Sequence, residues 1–430
     1  MLPVIASSLI FIAALVFIFS EKVNRTIVAI FGAVLMVFIG QMFGFYDQDK
    51  AIQAIDYNTI GLLLGMMTLV ALLEPTGFFR YLAIWVGRFS RGKPFALLIM
   101  LGTVTTLVSM FLDNVTTVVL IAPVTILICE ILGVNPRPML MAEALLSDTG
   151  GAATLVGDPP NILIASAANF SFNSFLTHAL PIVAVSWIAA LFLLKLMFAD
   201  ELVQSETSET EALMKLNPQE ALKDGKTARR VLIVIALAIV LFLLEELLEI
   251  SPALVALGSA ALGLLWVRPD INEIFKKIEW SVLVFFAALF VMVGGMRSAG
   301  VLESIGGFIV QIADIPSIWL GLILLWAVAS LSAFVDNVPV TIALIPIIQQ
   351  LGQSGINIAP LWWALVFGAG FGGNGTIIGS SANIFVATIS ERTRYPITSS
   401  LWLKRGLPVM ITTCLVASII FLVIGFTIGW

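Results

Sequence analysis

Apolar residues gather into long runs at 3–20, 26–44, 58–73, 176–194, 231–244, 252–267, 280–296 and 407–429. Runs of roughly 17–25 apolar residues are long enough to cross a bilayer as helices. Several independent runs predict a polytopic chain and exclude a single anchor. The first run lacks a basic flank and a clear small-residue cleavage site, so it reads as a retained helix and not a leader peptide. The segment 201–228 is the one long polar stretch, and it cannot span. It reads as a linker, in part helical, between a first half, 1–200, and a second half, 229–430.

Composition agrees with that pattern. Apolar residues make up 60% of the chain and charged residues 11%, against about 25% charged in a soluble domain. A soluble-type enzyme is therefore excluded. No serine, cysteine or threonine nucleophile stands with a base and an orienting group, so no intramembrane hydrolase is expected either. No P-loop motif is present, and nothing points to nucleic acid as a partner. The net charge of −5 averages over two aqueous faces and decides little. Cys129 and Cys414 are too few for a metal motif, and His178 stands alone near an expected membrane edge, where a packing role suits it. No metal site built from Cys or His is expected.

The basic residues set an orientation. With the N-terminus outside, Lys22, Arg25, Arg80, Arg88, Arg91 and Lys93 fall inside, as do Arg137, Lys195 and the bases of the linker. Arg268, Lys276, Lys277, Arg392, Arg394, Lys404 and Arg405 follow. Of 22 basic residues only Lys50 and Arg297 fall outside, the asymmetry expected of cytoplasmic loops. The count works only if 94–132 and 317–352 are re-entrant hairpins that enter and leave on one side. Both termini then lie outside and the linker 201–228 lies in the cytoplasm, in an inner (cytoplasmic) membrane. The stretches after Gly77 and Gly300 read as amphipathic helices at the surface.

The two halves repeat one another. Asp56-Tyr57 matches Glu279-Trp280, and Gly77 matches Gly300, at an offset of 223. FLDNV at 111–115 matches FVDNV at 334–338, and Pro123 matches Pro346, at the same offset. Later the offset is 222, pairing Gly150, Gly151, Thr154, Gly157 and Asn161 with Gly372, Gly373, Thr376, Gly379 and Asn383. Five crossings per half make the second repeat inverted. The expected fold is an all-α polytopic membrane protein of two inverted repeats. It has about ten transmembrane helices, two re-entrant hairpins and two discontinuous helices at 138–170 and 359–391.

Four sequence breaks fall at membrane depth: DNVTT at 113–117, GGAATLVGDPPN at 150–161, DNVPV at 336–340 and GGNGTIIGSSAN at 372–383. Irregular backbone is tolerated there only where protein or a water-filled cavity surrounds it. Glycine permits the unwinding, while Pro159, Pro160 and Pro339 withhold a backbone donor. An isolated Gly pair more simply serves close helix packing. Four paired breaks, each with an Asn, are better explained as a site. Freed carbonyls with Asn, Thr and Ser side chains can replace a cation's water, and helix N-termini can face an anion or polar solute. The candidate binding residues are Asp113, Asn114, Thr116, Thr117, Gly150, Gly151, Thr154, Gly157, Asp158 and Asn161. From the second half come Asp336, Asn337, Gly372, Gly373, Asn374, Thr376, Gly379, Ser380 and Asn383.

A carboxylate at the centre of a spanning helix costs about 2.5–3.5 kcal/mol. Asp113 and Asp336 at the hairpin tips are thus candidates for proton coupling, a role compatible with helix capping. Glu143, Asp148 and Asp158 have Leu365, Gly370 and Ser380 as repeat counterparts, so acidity is concentrated in the first half. Asp148 is the preferred proton carrier of the three, with Glu143 a further candidate.

With these motifs the chain resembles the ion transporter superfamily of secondary carriers. It is most similar to the ArsB/NhaD-type branch of arsenite permeases, sodium–proton antiporters and P-protein-like permeases. FLDNVTTVVLIAPVTI, GGAATLVGDPPNILI, FVDNVPVTIALIPII and GAGFGGNGTIIGSSANIF carry the resemblance, which covers essentially the whole chain. It implies an elevator-like motion of a hairpin-bearing domain against a scaffold. The divalent-anion carriers of the superfamily have a Ser-Asn-Thr signature at both tips. Here Asn114 and Asn337 match the Asn, and Asp113 and Asp336 stand in place of Ser. That change disfavours a dicarboxylate and favours proton coupling, or sodium coupling, with no other cofactor. Arsenite or antimonite efflux is the leading expectation, ahead of sodium–proton antiport and then an organic or inorganic anion carrier or an ion channel. The expected partners are membrane lipid and a small inorganic solute, with a homodimer and a separately supplied ATPase subunit left open.

Overall fold

The computed structural model describes residues 1–20, 22–202, 207–301 and 315–427. The first half runs through α1 (Leu2–Phe19), α2 (Arg25–Met42) and α3 (Tyr57–Leu73) to α4 (Phe78–Phe89). A hairpin follows from α5 (Pro94–Ser109) and α6 (Asn114–Ile131). The discontinuous helix is α7 (Arg137–Gly151) with α8 (Pro159–Ala168), and α9 (Leu180–Met197) completes the half. The second half repeats this order. It has α10 (Gly225–Leu243), α11 (Pro252–Val267), α12 (Trp280–Ser298), the hairpin α13 (Ser317–Ser332) and α14 (Asn337–Gln353), the broken pair α15 (Ala359–Gly372) and α16 (Ser381–Ser390), and α17 (Ser399–Thr427). The described residues hold no strand, so the chain is an all-α, multi-pass membrane protein. The hairpin arms α5 and α13, and likewise α6 and α14, begin 223 residues apart.

Side-chain caps set where many helices begin. Asp56 accepts from the backbone N–H groups of Asn58 and Thr59 at the start of α3. Asp113 accepts from Thr116 N–H and Asp336 from Val338 N–H, so both hairpin tips turn directly into capped helices. Such caps satisfy donors that hydrocarbon would leave unpaired. Pro94, Pro159 and Pro252 stand in first turns, where the missing N–H costs nothing.

The helices sort into two bodies. In one, α2 packs on α12 and α3 on α11, each pair joining the two halves and each the repeat image of the other. A side chain at Gly65 of α3 would meet the Ala256 backbone of α11 at 2.5 Å, so glycine is what lets this pair approach. In the other body α5 packs on α7, α13 on α15, and α9 on α17. The amphipathic α4 lies against α6 and the turn Pro218–Ala221, with Arg80 exposed and Phe79, Ala83 and Val86 buried. Its counterpart after Gly300 falls largely on 302–314, outside the described residues. The linker is helical at Thr207–Lys215 and Pro218–Ala221.

Candidate functional site

The two breaks in the discontinuous helices close with the same bonds. Asn161 Nδ2 donates to Gly151 O at 2.9 Å and Thr154 O at 2.8 Å. Asn383 Nδ2 donates to Gly373 O at 2.8 Å and Thr376 O at 3.1 Å. The hydroxyl of Thr154 donates to Met110 O and that of Thr376 to Ala333 O, each tying a break to its hairpin tip. Ser109 donates to Ser147 O, and Ser332 to Ala369 O, both at 3.0 Å. A Cβ on Gly157 would sit 2.5 Å from Gly151 O, and one on Gly379 2.6 Å from Gly373 O. Both positions require glycine, because only a backbone without a side chain fits against those carbonyls.

The acidic residues break this symmetry. Asp148, on α7, is buried, and its Oδ1 accepts from Asn114 Nδ2 at 2.6 Å and from Ser380 Oγ at 3.0 Å. Its Oδ2 is buried with no hydrogen-bond partner among the described residues. Asp158 accepts from Asn337 Nδ2 at 2.8 Å. Each hairpin-tip Asn thus donates to a carboxylate of the first broken helix, and the second contributes only Ser380. Asp113 caps α6 through Thr116 N–H and the Thr116 hydroxyl, at 2.9 and 3.0 Å. Asp336 caps α14 and pairs with Arg25 Nη1 at 2.7 Å.

A cavity of about 370 Å³ opens where these elements meet. Among the expected residues Asp113, Asn114, Thr116, Asp158, Asp336, Asn337 and Ser380 line it. Asp148 stands directly behind Asn114 and Ser380. Thr154, Asn161, Thr376, Asn383 and the glycines at 150, 151, 157, 372, 373 and 379 shape the breaks without lining the cavity. Asn374 lies further off, donating to Thr149 Oγ1 at 3.0 Å. The Thr117 hydroxyl is buried away from the cavity. Glu143 is also apart, packed between α6 and α7, where it accepts from the Thr125 hydroxyl.

Sequence reasoning missed the far wall. Arg25, Glu74, Lys277 and Glu279 line the cavity from α2, the end of α3 and the start of α12, with Met66, Met67, Phe285 and Phe286 as its apolar lining. Lys277 pairs with Glu74 at 2.7 Å, and Thr116 Oγ1 approaches Glu279 Oε1 at 3.4 Å. Glu279 carried a signal, its repeat match to the capping residue Asp56. Arg25 counted only toward orientation. His178 stacks on Trp363 with centroids 5.1 Å apart. Cys129 and Cys414 are buried free thiols, and among the described residues no three His, Cys, Asp or Glu side chains converge on a metal position.

Hairpin tips facing interrupted helices across a cavity that carries acidic and basic side chains, inside a bundle of apolar helices, are the architecture of a membrane transporter. The chain belongs to the CitMHS family, described as citrate transporters, whose sequence model matches residues 15–368. An uncharacterized transporter of Mycobacterium tuberculosis is 38% identical over 418 residues, covering 95% of this chain and 96% of the relative. The human P protein is 31% identical over 492 residues, 95% of this chain and 58% of its own length. The crystal structure of the Alcanivorax borkumensis YdaH transporter shares the fold, with a TM-score of 0.65 at 17% identity over 95% of this chain and 99% of that one.

Proposed function

We propose that the chain is a proton-coupled secondary transporter that carries a small neutral or cationic solute by elevator-type alternating access, with arsenous or antimonous acid exported as the leading cargo. The observation that carries this reading is the charge around the cavity. Asp113, Asp148, Asp158 and Asp336 gather at one place, and the basic residues there, Arg25 and Lys277, are each already paired with an acid. Citrate is a multiply charged anion at neutral pH, and carboxylates this close would repel it. Arsenous acid is uncharged, so a bound proton on Asp148 and its departure can be exchanged for it. The cavity reaches the end of the molecule that holds Arg25, Glu74 and Lys277, which the basic residues assign to the cytoplasm, so this conformation is inward-facing.

A sodium–proton antiporter is the second reading. The unpaired Oδ2 of Asp148 favours it, because that oxygen lies 3.5 Å from where a Cβ on Gly373 would stand, beside the unwound backbone. Such a place suits an oxygen-ligated cation. Purified protein in liposomes, with internal pH followed after external sodium, arsenite or citrate is added, separates the readings. Arsenite-driven proton movement is expected. Proton movement driven by sodium alone overturns the arsenite assignment, and flux without any gradient coupling points to a channel.

A further inference from the structure

A second cavity, of about 360 Å³, lies at the opposite end of α3 and α8. Because α3 runs from Asn58 and Thr59, which line this cavity, to Glu74, which lines the central one, the two open toward opposite faces. Ile162 of α8, a buried apolar side chain, lines both. The second cavity is acidic, with Glu245, Glu246 and Glu249 in its wall and no basic residue among those lining it.

Glu245 is the group that calls for a ligand. It is 3% exposed, its Oε1 accepts from Phe172 N–H at 2.5 Å, and its Oε2 is buried without a partner among the described residues. A buried carboxylate oxygen left unpaired is costly unless an ion or a proton satisfies it. The wall of the same cavity also supplies Asn58, Thr59, Ser166 and Ser171, and the Thr59 and Ser166 hydroxyls donate to Asp56 Oδ2 behind it. Glu246 and Glu249 are exposed at the rim, where they raise the local cation concentration without binding tightly. Glu245 is the one buried carboxylate lining this cavity, which suits a monovalent hard cation; a divalent ion is held by several carboxylates, and among the described residues no three His, Cys, Asp or Glu side chains converge on a metal position.

We propose that this vestibule is a sodium site on the face opposite the central cavity, with Glu245 as its charged ligand. It goes beyond the transport reading, since it holds whichever solute the central cavity carries. Sharing Ile162 with the central cavity, it would hold a cation waiting at the far mouth of the pathway.

The test is equilibrium binding of radioactive sodium to the full chain in detergent, in wild type, Glu245→Gln and the double variant Asp148→Asn/Asp158→Asn. Sodium binding that survives in the double variant and weakens at least about tenfold in Glu245→Gln, the loss expected for one charged ligand, supports the site. Binding unchanged in Glu245→Gln, or absent from the wild type, overturns it. If Glu245→Gln does not fold, Glu246→Gln/Glu249→Gln replaces it at the exposed rim. Sodium affinity that falls at low salt and recovers the wild-type value at high salt supports the vestibule, and affinity unchanged at low salt overturns it. Failure of the central reading shows separately, as proton-coupled transport that persists in Asp148→Asn.

Discussion

Asn161 holds the break at 152–158 by two carbonyls, and Asn383 holds the break at 373–380 in the same way. Around the first break stand Asp148 and Asp158, whereas the equivalent places around the second hold Gly370 and Ser380. Backbone requirements are thus duplicated, and charge is not. An inverted repeat gives two equivalent frameworks, but the proposed coupling group is present once, where both halves reach it. Asn114 of one hairpin and Ser380 of the opposite half meet on Asp148, whereas at its counterpart Gly370 a Cβ would sit 2.9 Å from the Ala152 Cβ, so that place admits no side chain.

The largest effect that tests this contrast is expected for Asp148→Asn. Proton-coupled flux in liposomes should fall about a hundredfold or more, the scale of a lost positioned proton-transfer group, while the protein stays monodisperse in detergent. Flux at the wild-type rate would sink the idea that the charge asymmetry is functional. Asp113→Asn comes next. Asparagine still caps α6, so abolished coupling with an unchanged melting temperature assigns the carboxylate to transport, and intact coupling leaves it a cap.

The symmetric half of the comparison is tested by stability. Gly157→Ala and Gly379→Ala should each cost about 1–3 kcal/mol, the usual penalty of forcing a group into filled space, and Asn161→Ala and Asn383→Ala about as much through orphaned carbonyls. Thermal unfolding in detergent should give nearly equal losses within each pair, and a clear inequality would show that the breaks differ in more than charge. The smallest effect separates the first helices of the halves. Asp224 caps α10 through Lys226 and Thr227 N–H, whereas α1 has no side-chain cap bond. Asp224→Ala should cost about 1 kcal/mol. The hydrogen bonds from Thr227 hold the Asp224 carboxyl below the usual carboxylate range. Its contribution is therefore full above the ordinary carboxylate pKa and is lost as pH falls through the lowered value, visible as convergence of the two melting temperatures in acid.

Much of the fold was legible because the repeat offset marks the hairpin arms to the residue, and the polar breaks mark the unwound loops. The four tip residues Asp113, Asn114, Asp336 and Asn337 were legible for the same reason. Glu143 shows a limit. It has the composition of a site residue, but five positions along a helix turn it about 140° from Asp148, onto the face packed against Thr125. Arg25, Glu74 and Lys277 show another. They reach the cavity from the opposite body of the molecule, and no spacing within a hairpin or a broken helix encodes that approach.

The two asparagine clasps bear on what happens if the hairpin-bearing body moves. An unwound stretch of peptide ordinarily drags water with it, because its carbonyls would otherwise be stranded in an apolar medium. Here Asn161 and Asn383 act as resident solvent, bonded to the stretch they serve. If that body moves, two carbonyls of each break travel with their hydrogen bonds already made, and need no water to follow them.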